Sequence, residues 1–150
     1  MQVSQKCQYT LRALFELAKR QGQEPVTAAE IADAQAIPSR FLELILQDLR
    51  GNGMVDSRRG SQGGYVLTKA PQTITVGDII RAVDGSLEPV KCVVGRTDVH
   101  CRLKNRCAFM GVWQRAQKAM EEVYDNTSLQ NLIDDERTAA ERDAPLVYVV

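Results

Sequence analysis

A mostly α fold with a single small β-hairpin is what this sequence predicts, on three observations. Apolar residues recur with helical spacing through most of the chain. Two short strand-like stretches, 54–57 and 65–67, flank a basic, glycine-rich segment, which is the pattern of a hairpin. Later, Phe109, Trp113, Ala116, Met120 and Val123 repeat in steps of four and three, giving a long helix with one apolar seam. At 150 residues, 44% hydrophobic and 25% charged, the chain suits one globular domain with an appended helix.

Leu11, Leu14, Phe15 and Ala18 share one helix face over about residues 4–20, with Ser4 placed to cap it. Thr27 and Glu30 form a capping box for a short helix, about 28–34, that buries Ile31. A brief turn ends at Pro38, expected at the first position of a third helix running to about Arg50. Leu42, Ile45, Leu46 and Leu49 are its buried stripe, and Gly51 and Gly53 stop it. Its outer face carries Ser39, Arg40, Glu43, Gln47 and Arg50. Short helix, turn and polar-faced helix is the helix-turn-helix pattern, whose second helix enters the major groove. The same helices would also suit a plain bundle with a solvated face.

The hairpin favours the first alternative. Arg58, Arg59, Gly60 and Gln62 lie at its tip, where arginines can meet phosphate and glycines permit close backbone approach. A helix-turn-helix followed by such a hairpin is a winged helix-turn-helix. After a linker, 69–73, Thr75 caps a helix with Val76, Ile79, Ile80 and Val83 apolar. The heptad helix comes later; a reader of palindromic DNA works as a dimer, so its seam is the expected homodimer interface, although it could also pack on its own domain. A second capping box, expected at 127–130, starts a last helix with Leu129, Leu132 and Ile133 apolar. The expected divisions are a DNA-binding domain at 1–85, a cysteine segment at 86–108, the dimerisation and last helices at 109–142, and an apolar tail at 143–150.

Net charge is zero, so attraction to DNA must come from local patches. No signal-peptide pattern and no run of membrane-span length is present, which makes a cytoplasmic, reducing location the expectation. Cysteines there serve more often as metal ligands or redox sensors than as structural disulfides. Cys92, Cys101 and Cys107 have the spacing C-x8-C-x5-C, among Lys91, Arg96, Arg102, Lys104 and Arg106. Neighbouring cations favour thiolate, the form that binds metals and meets oxidants. The segment is therefore a candidate sensor. A zinc knuckle is disfavoured because C-x2-C is missing. No phosphate loop follows a strand, and no motif pairs His100 with a nucleophile, so an enzyme is not expected.

The order of features resembles the Rrf2 family of winged-helix transcriptional regulators over about residues 1–133. Arg58-Arg59-Gly60-Ser61-Gln62-Gly63-Gly64-Tyr65-Val66-Leu67 is similar to the family's wing signature. Residues 9–14, 41–43 and 74–80 support it. The three clustered cysteines resemble the cluster-binding branch (IscR-, NsrR- and RirA-like). The resemblance implies double-stranded DNA as partner, a homodimer through the long helix, and an iron–sulfur cluster, 4Fe–4S or 2Fe–2S, held by Cys92, Cys101 and Cys107. The first cysteine gap is longer than in IscR-like members, and Met110 stands where they carry a histidine ligand. The fourth ligand is open: Cys7 from the partner chain, His100, Gln8 at the position of a partner carboxylate in NsrR-like members, or an exogenous group. Two further readings use the same cysteines: a cluster-free, thiol-sensing transcription factor, and, more remotely, a small electron carrier, which would leave the helix-turn-helix and wing unexplained.

Overall fold

Six helices and one hairpin make up the computed structural model, which describes residues 2–93, 101–103 and 106–143. The first helix, α1 (Gln5–Lys19), begins where the Ser4 hydroxyl accepts the Cys7 N–H at 3.1 Å. Thr10 is buried in it because its hydroxyl donates to the Lys6 carbonyl at 2.8 Å. Helix α2 (Ala28–Gln35) starts at the expected box. The Glu30 carboxylate accepts the Thr27 N–H at 2.8 Å, and the Thr27 hydroxyl accepts the Glu30 N–H at 3.3 Å. It ends on Ala36, a non-glycine residue in the left-handed region at φ 50°.

Helix α3 (Ser39–Gly51) starts one residue later than expected. Pro38 is the cap, not the first helical residue: its ψ of 127° is extended, and its carbonyl accepts the Phe41 and Leu42 N–H groups. Strands β1 (Val55–Arg58) and β2 (Gly64–Leu67) pair antiparallel, from Val55 opposite Leu67 to Arg58 opposite Gly64. Val26 bridges to Tyr65 on the outer edge of β2, tying the segment before α2 to the hairpin. A short 3-10 turn (Pro71–Thr73) leads to α4 (Val76–Asp84), which a Thr75–Asp78 capping box starts.

The main core gathers Leu14 and Leu17 of α1, Ile31 of α2, Leu42, Ile45, Leu46 and Leu49 of α3, Val55, Leu67, Ile79 and Leu129. Each such side chain, fully buried, stabilises the fold by about 2 kcal/mol relative to exposure. The last helix, α6 (Leu129–Asp143), belongs to this core. The expected grouping of 109–142 separates it from the DNA-binding domain, but the structure packs it on α1. Leu129 is fully buried, its N–H donates to the Ile74 carbonyl at 2.9 Å, and Lys19 pairs with Glu136 at 2.8 Å. Its capping box is shifted by one residue to Ser128 and Asn131, because the Thr127 hydroxyl donates back to Val123.

Between α4 and α6 lies α5 (Met110–Asp125), in which no residue is buried. The apolar tail expected at 143–150 lies, apart from the backbone of Asp143, outside the described residues.

Candidate DNA interface and cysteine segment

Helix α3 turns Leu42, Ile45, Leu46 and Leu49 inward, which leaves Ser39, Arg40, Glu43, Gln47 and Arg50 exposed on the other side, as expected, together with Phe41 and Leu44. The helix-turn-helix is held by a contact that hydrophobic pattern does not reveal. Glu16 of α1 is buried, and its carboxylate accepts Arg20 Nε at 2.9 Å and Gln35 Nε2 at 2.8 Å. Gln35 is the last residue of α2, so a buried charge fixes α2 against α1 just before the turn into α3. The available signal was an acidic residue beside Leu17 in an apolar stretch, with Arg20 one turn on. At the start of α2, the Glu30 carboxyl is held below its usual range, chiefly by the Thr27 hydroxyl.

The wing carries Arg58, Arg59, Gly60 and Gln62 exposed at its tip. Gly60 has φ 117°, and its carbonyl accepts the Gly63 N–H at 3.0 Å, closing the turn. The two following glycines are needed for space. A Cβ on Gly63 would press into the Arg58 carbonyl oxygen, and one on Gly64 would lie 2.6 Å from the Val26 carbonyl oxygen. The tip is therefore both backbone-accessible and fixed in course.

In the cysteine segment, Cys101 is exposed and Cys92 and Cys107 are half-buried. Lys91, Arg102 and Arg106 are exposed around them. His100, Arg96, Asp98 and Lys104 lie outside the described residues. Among the described residues, no three Cys, His, Asp or Glu side chains are close enough together to hold a metal ion. The segment thus offers three thiols without assembling them.

Cys7, one of the candidates for the fourth ligand, faces inward. It is fully buried within its own chain, packed with Ile80 and Leu87 beneath Val3, Leu11, Val83 and Tyr124. Burial, reinforced by the Asp84 carboxylate, pushes its thiol up to about 11. That carboxylate also accepts the Ser4 N–H at 2.9 Å and the Ser4 hydroxyl at 2.5 Å, binding the start of α1 to the end of α4. Gln8, the next residue, is exposed and donates to the Val3 carbonyl at 3.1 Å.

Helix α5 joins the body near its C-terminal end. Asp125 pairs with Arg81 of α4 at 2.6 Å, and Tyr124 covers the Cys7 cluster. The pairing lowers the Asp125 carboxyl and raises the Arg81 guanidinium from their usual values. Gly77 admits this contact: a Cβ there would press on the Asp125 carboxylate. Toward its start α5 presents Phe109 (63% exposed) and Val112 (45%), and farther along Val123 (62%). Of the expected seam, Phe109 and Val123 are exposed, whereas Trp113, Ala116 and Met120 are half-buried.

Comparison with known proteins places these features. The family described as Rrf2, iron-dependent transcriptional regulator, matches residues 3–135. The Bacillus subtilis HTH-type transcriptional regulator CymR is 35% identical over 149 residues, covering 99% of this chain and 100% of its own length. Among solved structures, T. potens IscR superposes with a TM-score of 0.75 at 34% identity, covering 99% of this chain and 95% of the other. Staphylococcus aureus CymR in its oxidized form gives 0.70 at 31%, covering 88% and 95%.

Proposed function

The chain belongs to the Rrf2 family of transcriptional regulators, and from that premise we propose that it is a homodimeric DNA-binding regulator gated by an iron–sulfur cluster. The observation that carries the gating is the placement of the thiols. Cys92, Cys101 and Cys107 are free and reachable, lie in a basic segment, and connect α4 of the DNA-binding body to the open helix α5. Three thiolates among cations fit the donor chemistry of an anionic, cysteine-ligated cluster. When bound, such a cluster, 4Fe–4S or 2Fe–2S, supplies a centre that responds to iron, nitric oxide or redox state.

The chain's own residues would do the rest. Gathering the three cysteines shortens the path between Leu87, which is packed on α4 and Cys7, and Phe109 at the start of α5. The Arg81–Asp125 pair is the pivot that keeps the other end of α5 on the body. A change in the angle of α5 would alter the separation of two α3 helices across a dimer, and half-site spacing is fixed by that separation. Ser39, Arg40, Glu43, Gln47 and Arg50 would face base edges and phosphates, with Arg58, Arg59, Gly60 and Gln62 on the backbone. Cys7 is not the fourth ligand in this reading, since its thiol is buried in its own chain. Gln8, exposed on the outside of α1, is the partner residue better placed to approach.

The test is affinity for DNA selected from a randomised duplex pool, measured without oxygen before and after iron is removed by a chelator. A change of ten-fold or more is expected. No change would sink the gating. A cluster-free thiol switch is the second reading, favoured by the likeness to CymR solved in an oxidized form. A change produced by a thiol oxidant and reversed by a reductant, in protein that never binds iron, would support that reading instead.

A further inference from the structure

Leu44 is exposed to 58%, although α3 already supplies four buried residues to the core. Its neighbours along the helix surface lie three and four residues away. Those are Arg40 and Phe41 toward the start of the helix and Gln47 and Asp48 toward its end, all exposed. On the outward face a leucine thus stands in line between Arg40 and Gln47, with Phe41 and Asp48 on its other flank. Phe41, the other exposed apolar residue of α3, has turned toward α1, where its ring lies 6.2 Å from that of Tyr9.

Leucine can neither donate nor accept a hydrogen bond. In the major groove only thymine presents a methyl group; the other base edges there offer donors and acceptors that leucine would leave unpaired. We infer that Leu44 determines sequence preference by packing against the C5 methyl of a thymine in each half-site. The inference rests on α3 being the groove-reading helix. It adds an apolar determinant to the polar residues assigned above.

The test compares duplexes selected from a randomised pool by the wild-type protein, then remade with deoxyuridine in place of single thymines. At one position per half-site, loss of the methyl is expected to weaken wild-type binding roughly four-fold, the worth of one buried methyl group. Leu44→Ala should bind thymine and deoxyuridine equally there. The variant is expected to fold, since the removed side chain is exposed. If Leu44→Ala keeps the same deoxyuridine penalty, the inference is wrong. It is also wrong if the variant changes self-association but not base preference, because Leu44 would then serve the groove it borders with Tyr9 and Phe41. Failure of the wild type to select any sequence would overturn the groove-reading assignment itself, an outcome distinct from the other two.

Discussion

Helix α3 and helix α5 are both amphipathic, yet the body covers one and leaves the other open. Four apolar residues of α3 are buried by α1, α2 and the hairpin, and what faces out is a mainly polar side that includes Leu44. Phe109 at the start of α5 and Val112 and Val123 within it are exposed, Trp113, Ala116 and Met120 are half-buried, and Asp125 and Tyr124 hold its last turn to the body. An amphipathic helix needs a cover for its apolar side. For α3 that cover is intramolecular, so its outward face is free to read DNA. For α5 it would be a second copy of the chain, so its position would depend on whatever sits at the cysteine segment leading into it.

The largest effects should separate these two helices. Leu46→Ala in α3 is expected to cost about 3 kcal/mol of unfolding free energy, because it opens a cavity in a closed core. Val123→Ala in α5 should instead weaken dimerisation in sedimentation, with the chain's unfolding changed by less than about 0.5 kcal/mol at concentrations where it is monomeric. An equal loss from both in the monomer would show that α5 is covered within its own chain.

A smaller effect tests the Cys7 cluster joining the two regions. The folded thiol, at about 11, lies above its ordinary value of 9.0. The folded state therefore holds its proton after the unfolded chain has lost it. The stability from the protonated thiol is complete below pH 9 and is lost as pH rises toward 11, by about 2 kcal/mol. Urea unfolding of wild type and Cys7→Ala across that window should converge by this amount. Parallel curves would mean that the thiol is not sealed.

The smallest concerns the turn that orients α3. Ala36 has φ 50°, a conformation disfavoured for alanine by about 1 kcal/mol and partly offset in glycine by the entropy of the unfolded chain. Ala36→Gly should stabilise by about 0.5 kcal/mol, seen as a higher thermal midpoint, without altering DNA preference.

Much of the DNA-binding body was legible because its signals are local. Thr27 and Glu30 name a helix start, and the period of Leu42, Ile45, Leu46 and Leu49 names a buried face. Periodicity says which residues share a face but not what covers it. That is why α6, with Leu129, could be grouped in sequence with the helix before it while in the fold it closes the core beside α1. Cys7 is a related case. It continues the run of Leu11, Leu14 and Ala18, so its inward placement is legible from spacing, whereas residue type alone groups it with the other thiols. Glu16 was harder to find, since its role depends on Gln35 meeting it from another helix.

The central claim is that three thiols and not the fourth form the sensing site. Native mass spectrometry of protein purified without oxygen tests it most directly, on wild type, Cys7→Ala and Cys101→Ala. The account predicts a dimer carrying the mass of an iron–sulfur cluster in wild type and Cys7→Ala, and its loss in Cys101→Ala. Cluster-free wild type after reconstitution, or a cluster lost with Cys7 and retained without Cys101, would contradict it.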